Sequence, residues 1–209
     1  MTDRLSTIFS HQLELTTQFR EIQDQNGLLS TPGIPVNPLS REGCLELHKD
    51  LHWINLEMSE VLFAHGQEQV HEELADVMHF LAEFCHVAGL PCETLFKFPK
   101  GFKEQYPTAD RLDLLLVASA KDPLVFPDYV TNARFVILAV LRVADYLKNK
   151  PWKQSIKSDW DQDEFEDRVR GVFYWYGATV RTAGMTPEAL FDAYMGTKAK
   201  NDGRIESGV

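Results

Sequence analysis

Apolar residues along this chain recur mostly at three- and four-residue steps, the spacing of one helical face. In the first segment Leu5, Ile8, Phe9, Leu15, Phe19 and Ile22 follow that spacing, and Asn26-Gly27 supplies a helix stop. Residues 28–39 hold Pro32, Gly33, Pro35 and Pro38 and read as an irregular connection. Ser40 is placed to cap a second helix that ends near Gly66. A third is predicted from Gln67 to Ala88, with its stop at Gly89, and Pro91 opens a shorter one. The stretch from Pro99 to Pro127 is broken by prolines and Gly101 and has one apolar segment, Leu112 to Ala118. It reads as an insertion carrying its own short helix. A long apolar helix follows over 128–150, closed by Pro151, then one over 162–183, then Gly184 and a last helix from Thr186. No segment alternates between apolar and polar residues with turn signals, so no strand is predicted. The fold class is all-α, a helical bundle.

A faint internal repeat runs through these helices, with chance similarity at a common helix-stop-helix junction as the alternative. Ala88-Gly-Leu-Pro-Cys-Glu-Thr-Leu-Phe96 and Ala183-Gly-Met-Thr-Pro-Glu-Ala-Leu-Phe191 agree at Ala, Gly, Glu, Leu and Phe, 95 residues apart. Each follows a long helix and has a helix pair's length of chain before it. Two helical-hairpin pseudo-repeats packed into one bundle explain this economically. The chain then divides, within a single domain over 1–209, into a first half (1–97), an insertion (98–127) and a second half with its tail (128–209).

Composition narrows the function classes. Over 209 residues, 21 basic and 31 acidic side chains give a formal charge of −10, which disfavours broad attraction to a nucleic-acid polymer or an anionic membrane. The most apolar run, Phe135 to Val143, is interrupted by Arg142 and falls short of the ~20 residues of a membrane span. Met-Thr-Asp-Arg-Leu-Ser lacks the pattern of a signal peptide. Cys44, Cys85 and Cys92 have no metal-knuckle spacing and read as buried hydrophobes in a reducing compartment, with the cytoplasm as the expected location.

The chemistry concentrates on the second and third helices. Glu57-Met-Ser-Glu60 puts two carboxylates three residues apart, on one helical face, and Glu73-Leu-Ala-Asp76 repeats this on the next helix. Gly66 lies between the pairs, so the helices can fold back antiparallel and bring four carboxylates together beside apolar flanks. Like charges in low dielectric raise one another's pKa and resist burial. A hard divalent cation relieves this, and Mg²⁺ favours carboxylate oxygens together with substrate phosphates. The bland alternative is a pair of solvated helix faces on a non-catalytic interaction module. A di-iron carboxylate bundle needs two Glu-x-x-His pairs, and the chain offers Glu83-Phe-Cys-His86 alone, outside the acid cluster.

Glu57-x-x-Glu60 followed by Glu73-Leu-Ala-Asp76-Val-Met-His79-Phe80 resembles the signature of the all-α nucleoside triphosphate pyrophosphatases, the superfamily of MazG-like enzymes, dimeric dUTPases and phage dCTP/dUTP pyrophosphatases. The added His-Phe is similar to the dUTPase and phage dCTPase branch. So is the closing segment Lys200-Asn201-Asp-Gly-Arg204-Ile-Glu-Ser-Gly208. The resemblance spans residues 50–97 and 165–209, with a hint at Gln12-x-x-Leu15. It implies Mg²⁺, with Mn²⁺ as a substitute, bound by Glu57, Glu60, Glu73 and Asp76. It also implies Glu57 as the water-activating base, and Asn201 and Arg204 on sugar and phosphates, with Lys198 or Lys200 adding charge. His79 and Gln12 would approach base or sugar, with a satisfied structural side chain as the favoured alternative for each.

The implied reaction is hydrolysis of a deoxynucleoside triphosphate, dUTP or dCTP foremost, to the monophosphate and pyrophosphate, by a homodimer or higher homo-oligomer in the cytoplasm, or in the host cytoplasm for a phage protein. A purine triphosphate is the alternative substrate. Three departures bear on base selection more than on the chemistry. Thr197 stands where the family has its first lysine, Val209 replaces a terminal Tyr, and Phe63-Ala-His-Gly replaces a Trp- and Lys-rich loop, with Pro151-Trp152-Lys153 much later. Sliding by 95 residues sets Arg168 opposite Glu73 and Gly171 opposite Asp76, so one active site per chain is expected.

Overall fold

The computed structural model describes residues 3–29, 31, 33–120, 122–147 and 160–207. Among the described residues the regular structure is entirely helical, as the spacing predicts. The helices are α1 (Arg4–Gln25), α2 (Arg41–Phe63), α3 (Gln67–Val87), α4 (Cys92–Leu95), α5 (Lys100–Gln105), α6 (Arg111–Ala118), α7 (Tyr129–Leu147), α8 (Gln162–Thr182) and α9 (Pro187–Ser207). None of them is long and apolar enough to cross a membrane. The predicted closure of the long helix at Pro151, and the Pro151-Trp152-Lys153 segment, lie outside the described residues.

Local chemistry sets the ends. Asp3 caps α1 by accepting from the Ser6 amide, and Ser40 caps α2 by accepting from the Gly43 amide at 2.9 Å. Asp110 and Asp113 form a reciprocal capping box on α6, and Arg4 ties that box to the start of α1 through Asp110 at 2.7 Å and Asp113 at 2.6 Å. The insertion holds one helix more than the sequence predicts. In α5, Phe102 stacks with Phe98 at 5.8 Å and lies against Tyr106 at 5.4 Å, an aromatic ladder that supports a turn despite Gly101.

The architecture is two hairpins and a clasp. α2 packs along α3, α7 packs along α8, and α2 lies against α7 to join the pairs. α9 returns onto α3 and α1. Both hairpins end in the same device: α3 closes with Leu90 N–H on the Cys85 carbonyl and Gly89 at φ 71°, and α8 with Met185 N–H on the Val180 carbonyl and Gly184 at φ 76°. These left-handed glycines are why the repeat keeps Ala-Gly at both junctions.

One apolar core runs through the bundle. On α2 it takes Leu47, Leu51, Ile54, Met58 and Val61, and on α3 Val70, Leu74, Val77, Leu81 and Phe84, all buried. Each such side chain contributes about 1.5–3 kcal/mol by leaving water. Cys44, Cys85 and Cys92 are free thiols within this buried set.

Candidate functional site

The polar stripe that builds the site trails the core stripe by one residue on both helices. One position before the core residues of α2 stand Glu46, Asp50, Trp53, Glu57 and Glu60. On α3 the same offset gives Glu73, Asp76, Phe80 and Glu83. One residue is 100° of helical rotation, so these side chains flank the core and share an edge of the hairpin. The antiparallel register runs outward from Gly66, matching Glu60 to Glu73, Glu57 to Asp76, Trp53 to Phe80 and Asp50 to Glu83. Trp53 and Phe80 mark that register directly, stacked at 6.2 Å with an 18° interplanar angle.

Glu57, Glu60 and Glu73 each bring a carboxylate oxygen within 4.8 Å of the other two. Asp76 adjoins this trio rather than sharing its centre, and its Oδ1 is buried without a hydrogen-bond partner. The electrostatics follow. Burial, then Glu60, Asp76 and Glu73, push the Glu57 carboxyl up to about 7. Burial raises Glu73 and Asp76 too, while the Thr197 hydroxyl, Lys200 and Arg204 pull Asp76 part of the way back. Thr197 thus faces the acids. An unpartnered buried oxygen beside three crowded carboxylates is what a hard divalent cation relieves, and all the donors are oxygens, so the residues fit Mg²⁺ or Mn²⁺.

Glu57 and Asp76 also line a cavity of about 450 Å³ between α1, α2, α3 and α9. Gln12, His79, Asn201 and Arg204 line it as well. Arg204 donates from Nη1 to Asn201 Oδ1 at 3.2 Å. Lys198 and Lys200 are not in the lining. The first pairs with Asp202 at 2.7 Å, and the second, fully at the surface, approaches Glu72 at 3.7 Å.

Gln12 and His79 belong to a buried network. His79 stacks on Tyr194 at 4.0 Å and places Nδ1 2.7 Å from Gln12 Oε1 and Nε2 3.3 Å from the Tyr194 carbonyl. The Tyr194 hydroxyl donates to the Ile8 carbonyl at 3.1 Å and to Gln12 Oε1 at 3.2 Å. Burial lowers His79 to about 4, so at neutral pH the ring carries one proton and donates to one of its two neighbours. Glu83-x-x-His86 is no metal pair: Glu83 faces the cavity, whereas His86 Nε2 sits 2.7 Å from the Phe9 carbonyl.

The sequence pattern did not single out the far end of the cavity, where Arg20, Glu46, Lys49, Asp50 and Glu83 gather beyond Trp53 and Phe80. Arg20 bridges Glu46 at 3.0 Å and also donates to the Thr31 carbonyl, and Lys49 reaches Glu46 at 3.5 Å. Burial, then Glu83 and Glu46, raise Asp50 well above the usual carboxylate range. Extending the acid stripe of α2 back from Glu57 by seven and eleven residues would have found Asp50 and Glu46. No protein-family model, curated protein or solved structure matches the chain.

Proposed function

We propose that this chain hydrolyses a deoxynucleoside triphosphate to the monophosphate and pyrophosphate with the help of Mg²⁺. The observation that carries the reading is the meeting of three carboxylates within 4.8 Å, one of which, Glu57, also lines a cavity of nucleotide size. Glu57, Glu60, Glu73 and Asp76 would hold the cation. Mg²⁺, when bound, supplies positive charge against the triphosphate and lowers the barrier to attack on phosphorus.

The remaining roles fall to the chain itself. Glu57, shared between the acid trio and the cavity, is the group placed to accept a proton from water. Water adds across the α–β phosphoanhydride, its proton goes to Glu57, and pyrophosphate departs. Arg204 offers a guanidinium fork to phosphate oxygens, with Asn201 beside it to orient the fork and hydrogen-bond the sugar. Lys198 and Lys200, on the same helix, add positive potential to a chain of net charge −10. Trp53 and Phe80 form an aromatic shelf for the base. Neutral His79 and Gln12 shape the wall behind the sugar. Positioning and electrostatics supply most of the acceleration in such a phosphoryl transfer.

The test is pyrophosphate release from a panel of deoxynucleoside triphosphates with and without Mg²⁺. Release from at least one of them, dependent on the cation, sustains the reading. Silence with every member of the panel reduces the molecule to a helical interaction module.

A further inference from the structure

The cavity holds a second set of charges, deeper than the acid trio. On α2 the inward stripe reads Glu57, Trp53, Asp50, and on α3 it reads Asp76, Phe80, Glu83. Each helix therefore gives an acid, an aromatic ring and a second acid in the same order. Asp50 stands seven residues from Glu57, about 10 Å along the axis at 1.5 Å per residue, the reach from a nucleotide's phosphate across its sugar to the base. The aromatic shelf between the two acid sets assigns the outer one to phosphates and the inner one to the far edge of the base.

The inner charges do not balance. Glu46 is satisfied by Arg20 and Lys49. Asp50 is only 5% exposed, yet its Oδ2 accepts no hydrogen bond. Three carboxylates face two cations, so the surplus of acceptors rests on Asp50 and Glu83. Arg20 Nε–H, also on this floor, is a buried donor without a partner and suits a ring nitrogen. A buried acceptor left unpartnered costs stability until a ligand donates to it.

Resting on the hydrolase reading above, we propose that Asp50, with Glu83 beside it, selects the nucleobase by accepting a hydrogen bond from the exocyclic amino group of cytosine or adenine, so that nucleotides of these two bases are taken and uracil and thymine nucleotides refused. An ionised carboxylate only accepts, and the exocyclic amino groups of cytosine and adenine are donors, whereas uracil and thymine turn carbonyl oxygens toward the same place. A carbonyl brings no donor to Asp50 Oδ2, whereas an amino group does. Burial and Glu83 already disfavour the charged form of Asp50, and a donated N–H restores it.

The experiment measures kcat/KM for dCTP, dATP, dGTP, dUTP and dTTP on the wild type, Asp50→Asn and Glu83→Gln, read as the ratio of the better of dCTP and dATP to dUTP. The ratio is expected to be at least about tenfold in the wild type and to fall at least about tenfold in Asp50→Asn. Glu83→Gln lowers it less and serves if Asp50→Asn does not fold. Turnover of dUTP or dTTP as fast as the better of dCTP and dATP overturns the proposal. So does a variant that slows every substrate equally, the mark of a carboxyl serving the sugar or the fold. If no triphosphate is turned over, the hydrolase reading has failed, and equilibrium dialysis with the corresponding monophosphates decides base selection alone. Tighter binding of the cytosine or adenine nucleotide than of the uracil and thymine ones then sustains it, and equal binding overturns it.

Discussion

The two hairpins of this bundle share a cap, a core and a length, and differ in what their charges touch. In α7–α8, Arg168 stands where the repeat places Glu73 of the first hairpin. It pairs with Glu164 at 2.6 Å, donates to the Arg142 carbonyl at 3.2 Å and lies 4.8 Å from the Tyr146 ring centre. Gly171, in the place of Asp76, has no atom within 4 Å of where a Cβ would be. In α2–α3 the matching positions hold acids crowded onto other acids, with a buried Asp76 oxygen left unpartnered. The second hairpin teaches that the fold needs no acid at these places. Acids kept unsatisfied against their own stability, in one copy of a repeat, are what supports the proposed binding role.

The largest expected contrast between the hairpins is catalytic. Glu73→Ala lowers Mg²⁺-dependent pyrophosphate release by about 100-fold or more, with helical circular dichroism unchanged. Arg168→Ala, at the equivalent place, leaves turnover within about twofold, because its ion pair is a surface contact. Equal losses in both variants would erase the distinction.

Next comes the shared cap. Gly89→Ala and Gly184→Ala each force a left-handed alanine, about 1–2 kcal/mol by urea denaturation. Gly89→Ala adds a clash to this strain, about 2–4 kcal/mol in all, since its Cβ would meet Pro35 Cβ at 2.9 Å, whereas at Gly184 the neighbour is the end of the long Gln67 side chain at 3.1 Å. A smaller loss, about 1 kcal/mol, is expected for Tyr194→Phe, which removes the hydroxyl bonded to Ile8 and Gln12.

The smallest effect is on pH dependence in chelator. Folded Glu57 keeps its proton to about 7, while the unfolded chain releases it near 4.5, so between those values the native state binds more protons and loses stability as pH rises. His79 acts in the opposite direction: unfolded near 6.5 and folded near 4, it removes stability as pH falls below 6.5. Asp50 follows the sign of Glu57, so the readout is a difference. Thermal midpoints of Glu57→Gln should decline less than those of wild type from pH 5 to 7.

Helical spacing, caps and glycine stops made nearly the whole fold legible before any coordinate. Ser40, Gly66, Gly89 and Gly184 each end or begin a helix where their chemistry says. α5 was hidden because its support is an aromatic ladder across Pro99, a signal weaker than the proline itself. At the candidate site, acids three residues apart were visible because they share a face within one turn. Asp50, Glu83 and Arg20 were not, because their meeting depends on the register of two helices and on how α1 crosses them. Phe80 stood out only through the His-Phe of the resemblance, and Trp53 reads as an ordinary apolar residue until the hairpin stacks the two. Lys198 lay in the right helix but faces Asp202 instead of the cavity, a one-residue matter of helical phase.

The most direct measurement is the titration of chelator-treated protein with Mn²⁺, following the free ion by electron paramagnetic resonance, for the wild type and for Glu57→Gln/Glu73→Gln. The wild type should bind at least one ion per chain, and the double variant, equally helical, should bind none at that concentration. A wild type that leaves the ion free, or a double variant that binds it as tightly, would contradict the assignment of these carboxylates to a metal.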